Sequence, residues 1–347
     1  MLALYNSEEQ LLSHTARALA DSMAIRTLAD IEKSDTPESW RRLATSGVLG
    51  LRAPDGDGRP AGTGVDVMIV ADALGSCLVS APFLESAILP AELLRVAGAD
   101  PAALEEIGSG AARYGLLLGA DLAGLAAIGE LGVSIGWGLR HADYALALDD
   151  SGRDLVRITL DGSCEDLGSA DLTRALSRPA ASLPCQPVGQ LGSGAYDEWL
   201  TLALVGLCAD AQGALRAAVR LAVEYAKTRE AFGSPIGSFQ ALQHIVADDY
   251  VSANSVETTN CFAAWATGNL PGDEALLAAR TAKAYLGEVG LKVVEDLMQV
   301  LGGIGQTWEH IAHVYTRRVL FDVQVLGSAE AQLTQIAQLR AGAQAAG

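Results

Sequence analysis

Two short stretches carry residue types from which a phosphate-binding site can be built. One is Tyr225-Ala-Lys-Thr-Arg-Glu-Ala-Phe-Gly-Ser-Pro-Ile-Gly-Ser-Phe-Gln-Ala-Leu-Gln-His244, and the other is Gln299-Val-Leu-Gly-Gly-Ile-Gly-Gln-Thr-Trp-Glu-His310. Arg229 offers a fixed fork of N–H donors suited to phosphate. Gly302 and Gly303, lacking a Cβ, let backbone N–H groups approach an oxyanion. Each residue also has a plainer use: Arg229 in a surface ion pair with Glu224 or Glu230, the two glycines as a helix terminator, Phe232 in the core. His310 and His313 are three apart but lack a third ligand, so they predict a helix-surface feature and no metal site. The chain holds no GxSxG elbow, no P-loop and no GxGxxG after a strand.

Three regions position these stretches. From the start to about Gly115 the spacing is helical. Ser7 is expected to cap a first helix with Gln10 completing a capping box, and Pro37 marks the start of another. Gly47 to Pro54 and the Gly-rich stretch Asp55 to Gly64 read as loop; Val65 to Leu74 and Ala87 to Val96 resume helical spacing. From Leu116 to Leu191 glycine becomes frequent, and Tyr144-Ala-Leu-Ala-Leu148 and Asp154-Leu-Val-Arg-Ile-Thr-Leu160 read as two strands around a turn. From Gly192 onward come long helices: Asp197 to Lys227, Ser238 to Gly268, Asp273 to Leu301, and one or two more after Glu309. Short connections between them predict an antiparallel four-helix bundle. The fold class is therefore mainly α with a small central β domain, divided as 1–115, 116–191 and 192–347.

The bulk properties narrow the function. The chain has 347 residues, half of them hydrophobic, with aromatics at 5%, so its apolar mass is Ala, Leu and Val and suits helical packing. A formal net charge of −18 argues against nucleic acid and against an anionic membrane surface as partners. The five cysteines, Cys77, Cys164, Cys185, Cys208 and Cys261, form no CxxC pair and are odd in number, which predicts reduced thiols in a cytosolic protein. The N-terminus, with Glu8, Glu9, His14 and Arg17, does not read as a signal peptide. The apolar run Trp199 to Ala209 is short of the ~20 residues a membrane span needs.

The helix–β–helix order and the two stretches together resemble the acyl-CoA dehydrogenase family. The resemblance covers most of the chain and is most specific over Tyr225 to Ala247 and Ala282 to Tyr315. Weaker matches are Leu43 to Pro54, Ala71 to Leu89 and Ala279 to Tyr285. It implies FAD as cofactor. Arg229, in the family's TRxxFG motif, would reach the flavin pyrophosphate; Phe232 would pack near the adenosine end, with Gln240 beside it. Gln299, Gly302 and Gly303 match the Q-x-x-GG segment, which touches the cofactor from an adjacent subunit. The two flavin-contacting segments are thus expected from different subunits, and a homo- or hetero-tetramer is implied, with an acyl-CoA substrate and an electron-transfer acceptor.

The family's chemistry is α,β-dehydrogenation: a carboxylate removes the α-proton while the flavin accepts the β-hydride. The resemblance places that carboxylate at Leu326, before Gly327, or on the first bundle helix at Ala203. Neither residue can accept a proton. Asp210 lies seven residues, close to two turns, beyond Ala203, and so faces roughly the same way. It sits in an apolar stretch where burial is expected to raise its pKa toward that of a base, making it the candidate catalytic residue. Asp322, Glu309 and Glu330 lie in polar segments expected to be solvated. The family's Thr-Glu-Pro motif beside the flavin ring is absent, and Gly136-Trp-Gly-Leu139 is the candidate for its Trp motif, with Trp137 read as a packing residue.

Two functions fit. One is an FAD-dependent acyl-CoA dehydrogenase acting as one subunit of an oligomer. The other is a non-catalytic subunit that completes the FAD site of a heteromeric acyl-CoA dehydrogenase. The chain resembles the short, Glu-lacking subunit of actinobacterial enzymes of that kind, which act on sterol side chains. A flavin-free scaffold is a third, weaker possibility.

Overall fold

The computed structural model describes residues 5–346. Six helices lead: α1 (Ser7–Ser22), α2 (Leu28–Ile31), α3 (Pro37–Thr45), α4 (Gly64–Ser76), α5 (Leu89–Val96) and α6 (Pro101–Gly108). The cap of α1 is Asn6, one residue before the expected Ser7. The Asn6 side chain accepts from the Glu8 and Glu9 N–H groups, and Glu9 accepts back from the Asn6 N–H at 2.8 Å. The reciprocal box is thus present but displaced by one residue. Thr36 caps α3, with Pro37 at its first position, where a missing N–H costs nothing. A π-helical turn, Leu84–Ile88, leads into α5.

A sheet of seven strands follows: β1 (Tyr114–Leu118), β2 (Ile135–Trp137), β3 (Tyr144–Leu148), β4 (Asp154–Thr159), β5 (Glu165–Asp166), β6 (Leu176–Arg178) and β7 (Cys185–Gln190), in the order β5-β6-β2-β1-β3-β4-β7. The expected hairpin is β3–β4, paired from Tyr144↔Thr159 to Leu148↔Leu155. The remaining strands escape a periodicity argument. β2, β5 and β6 are two or three residues long, β1 is buried on both faces, and β7 carries no buried residue. Among the described strands, only β1 and β3 run parallel.

The C-terminal part holds α7 (Ala195–Thr228), a two-residue hairpin β8–β9 (Glu230–Ala231 and Ser234–Pro235), α8 (Gln240–Ala266), α9 (Gly272–Leu301), α10 (Ala312–Gln324) and α11 (Ala329–Ala346). Helix α7 is long and apolar enough to cross a membrane, but 94% of its apolar window is buried inside the molecule, so its hydrophobicity serves packing. Against α4 it packs backbone to backbone. A Cβ on Gly75 would lie 2.1 Å from the Asp210 carbonyl oxygen, and one on Gly213 2.1 Å from that of Asp72, so only glycine permits this approach.

Two consequences matter for the site. The main core runs through α4, α5, α7, α8 and α9 and includes Trp137 of the sheet and Leu326. A separate cluster, with Ala222, Ala226, Leu297, Val300 and Leu301 buried and Tyr225, Ile236 and Leu242 against them, ties the end of α7 to the end of α9.

Candidate functional site

The sequence-predicted residues fall into two places of opposite character. The first is the end of the bundle. Arg229 is the residue at which the chain leaves α7 with extended backbone, and it is exposed. Glu224 is taken by Lys227 at 2.7 Å and so does not engage Arg229. Phe232 is 98% exposed and sits at φ +54°, a left-handed conformation that costs a side-chain-bearing residue about 1–2 kcal/mol. Its ring meets Phe239 edge to face with centroids 6.3 Å apart. It is therefore not core. Gln240 opens α8 and is exposed.

At the end of α9, Gly302 takes φ +62°, ψ −145°, a region open essentially to glycine alone. A Cβ at Gly302 or Gly303 would meet nothing within 4 Å, so both backbones face open space. With Gln299 they line a groove of about 500 Å³ that also includes Met298, Gln306 and Thr316. The apolar cluster joining the ends of α7 and α9 puts both motif segments at one end of one bundle. One chain can therefore present both segments on the same face.

The second place is the junction of α7, α10 and the sheet, and it holds the positions where the resemblance puts the family's base and flavin ring. Ala203 is fully buried and Leu326 is 2% exposed. Leu326 holds φ +59°, its N–H donates to the Leu122 carbonyl at 2.8 Å, and its carbonyl accepts from Gln332 Nε2 at 2.7 Å. Trp137 is buried against Phe321 at 5.8 Å, with the Arg174 guanidinium 5.1 Å from the Phe321 ring. Trp137 is a packing residue, as expected.

Asp210 is no free base. Arg318 grips it through two bonds of 2.7 Å, and Arg174 Nη2 lies 2.9 Å away. Burial alone would raise its pKa, but the two guanidiniums outweigh burial and hold the carboxylate well below its ordinary value. The expected upward shift is thus reversed by partners that lie far away in sequence. Arg318 also donates to the Val79 carbonyl at 3.0 Å and to Thr173 Oγ1 at 2.7 Å. Arg174 pairs with Asp322, whose backbone carbonyl accepts from the buried Lys283. Asp322, expected to be solvated, is fully buried, and burial pushes its carboxyl well above the usual range despite Arg174. Glu309 and Glu330 are exposed, as expected.

This lattice leaves little space. The cavity beside Asp210, Arg174 and Arg318 has about 10 Å³, room for at most one water. A larger cavity of about 270 Å³ nearby is lined by the carboxylates Glu32, Asp35, Glu85, Asp166 and Asp171 together with the guanidiniums of Arg140 and Arg174. Arg174 and Arg318 were missed in the sequence. One signal was available: Arg318 and Asp322, one turn apart, share a face of α10 with Val314, Val319 and Phe321, so a charged pair lies on an apolar stripe. Among the described residues, no group of three His, Cys, Asp or Glu could hold a metal ion.

Residues 195–339 match the family model described as acyl-CoA dehydrogenase, C-terminal domain. The chain is 30% identical to acyl-CoA dehydrogenase IpdE2 of Mycobacterium tuberculosis over 338 residues, covering 92% of this chain and 93% of that one. The chain belongs to the acyl-CoA dehydrogenase family. Among solved structures, the chain is similar to the ChsE4-ChsE5 complex from Mycobacterium tuberculosis, with TM-score 0.79 and 26% identity over 98% of this chain and 99% of that one. A steroid ACAD variant, Tcur3481-Tcur3483, superposes with TM-score 0.83 at 24% identity over 97% of this chain and 99% of that one, which shows the shared fold.

Proposed function

We propose that this chain is the non-catalytic subunit of a heteromeric acyl-CoA dehydrogenase and helps hold an FAD whose catalytic carboxylate another chain supplies. The observation that carries this is the closed junction. Leu326 and Ala203 cannot take a proton, Asp210 is neutralised by two arginines, and the cavity there holds about 10 Å³. An isoalloxazine ring does not fit that space.

The end of the bundle does fit a part of the cofactor. Arg229 would donate to the diphosphate, and the open backbones of Gly302 and Gly303 would leave its oxygens unobstructed. Phe232, Gln240 and Gln299 would line the adenosine side. When bound, the flavin supplies the acceptor for a hydride; this chain's residues bind and orient it. The ChsE4-ChsE5 complex supports a second chain as partner, which we propose to be a paralogue in a hetero-tetramer, and the steroid ACAD named Tcur3481-Tcur3483 supports a steroid-type acyl-CoA substrate. An electron-transfer acceptor and a cytoplasmic location complete the proposal.

The test is to co-express the chain with candidate dehydrogenase paralogues from its host, purify the complex and assay dye reduction with steroid and fatty acyl-CoAs. Turnover by the complex that is lost when the partner's Glu is replaced by Gln supports the proposal. Equal turnover by this chain alone contradicts it.

A further inference from the structure

We infer that the cavity of about 270 Å³ between the α2–α3 loop, the π-helical turn and the β5–β6 loop binds a small organic cation, a guanidinium or primary ammonium on a short alkyl stem, at the buried carboxylate of Glu85. This site is separate from the flavin half-site at the bundle end. Glu85 lies in the π-helical turn Leu84–Ile88, a kind of turn often found at functional sites. It is 5% exposed. A Cβ on Gly138 would lie 2.8 Å from Glu85 Cγ, so the Glu85 side chain runs over Gly138, which lines the same cavity. Apart from its own backbone N–H, no described group donates to the Glu85 carboxylate, and no cation forms an ion pair with it. Asp171, fully buried on the β5–β6 loop, also lines the cavity. Its Oδ1 accepts from the Thr173 N–H at 2.8 Å and from Thr173 Oγ1 at 2.6 Å, whereas its Oδ2 accepts no hydrogen bond and stands 3.8 Å from Arg174 Nη1. Ser169 Oγ and Asp35 Oδ1 on the same wall are likewise buried without a hydrogen-bond partner.

Buried acceptors without a donor are costly, and a wall that gathers several of them favours an occupant rich in N–H. The two guanidiniums of the wall do not meet that demand. Arg174 gives Nη2 to Asp210 at 2.9 Å and Nη1 to Asp322, and Arg140 pairs with Asp166 at 3.2 Å. Five carboxylates line the cavity against these two cations, so the occupant they favour is positively charged. Among the described residues no group of three His, Cys, Asp or Glu could hold a metal ion, which leaves an organic cation. The volume is below the ~300–1,000 Å³ of sites for drug-sized ligands and suits one charged head on a short stem. Ile31, Pro82 and Leu172 of the wall would cover that stem, and the exposed residues Glu32, Arg140 and Asp166 mark the side open to solvent.

The test titrates the purified chain by calorimetry with n-butylguanidinium and n-butylammonium chloride, beside the neutral isostere n-butylurea and the anion pentanoate. The cations should fill one saturable site, with n-butylurea at least about tenfold weaker and pentanoate not bound. Glu85→Gln should weaken n-butylguanidinium at least about tenfold. Glu330→Gln, which removes an exposed carboxylate of α11, should bind it as wild type does and so controls for general attraction to an acidic chain. In thermal melts n-butylguanidinium should raise the Tm of wild type and of Glu330→Gln and leave that of Glu85→Gln unchanged. Absence of saturable binding, equal affinity for n-butylurea, or undiminished binding by Glu85→Gln overturns the site. If Glu85→Gln does not fold, the comparison of n-butylguanidinium with n-butylurea on wild type decides it.

Discussion

The closed junction and the open bundle end are built from the same α7, with opposite outcomes. At the middle of α7, Asp210 is surrounded by Arg174 and Arg318 and sealed from water. At its end, Arg229 and Phe232 project into solvent, with Phe232 in a strained backbone conformation that no burial offsets. Strain and exposure that folding does not need persist at the bundle end, where we propose that the cofactor is held, while Ala203, Leu326 and Asp210 are taken up by packing and ion pairing.

The comparison can be broken from the junction side first. Arg318→Met leaves Asp210 with one guanidinium and should cost about 3–5 kcal/mol in urea unfolding, the usual result of stranding a buried charge. A cost below about 0.5 kcal/mol would show that the lattice is not structural. Leu326→Glu restores the family's residue type but inserts a carboxylate into a site that is 2% exposed. It should destabilise the chain and yield no dehydrogenase activity, measured by dye reduction with acyl-CoA. Recovered turnover would show that the junction opens.

From the open side, Gly302→Ala forces a Cβ into φ +62°, ψ −145° and should cost about 1–3 kcal/mol while loosening flavin in the complex. The smallest stability effect belongs to Arg229→Ala. Thermal unfolding of the isolated chain should change by less than about 0.5 kcal/mol, while FAD retention by the complex falls. Unchanged FAD retention would remove Arg229 from the site.

Much of the scaffold was legible because the long helices and the β3–β4 hairpin carry sustained periodicity. The short strands β2, β5 and β6 have too few residues for any period to show, so β3 and β4 were the strands of the seven-stranded sheet that could be read. The bundle-end residues were legible as a motif, since their spacing along the chain is short. That Phe232 would stand almost wholly exposed was not, because a lone aromatic is as compatible with core. Burial of Asp210 followed from its apolar neighbours. Its charge state did not, because the arginines that decide it lie 36 residues before and 108 residues after it in sequence, and only the fold brings them together. For Asp322 the charged segment suggested solvent, whereas its face of α10 turns inward.

The most direct test is an equilibrium FAD titration of the isolated chain by flavin fluorescence, set beside the same titration of the co-purified complex. The closed junction predicts no saturable FAD binding by the isolated chain and about one FAD for each copy of this chain in the complex. Saturable binding of one FAD per isolated chain, with reduction of that flavin by acyl-CoA, would contradict it.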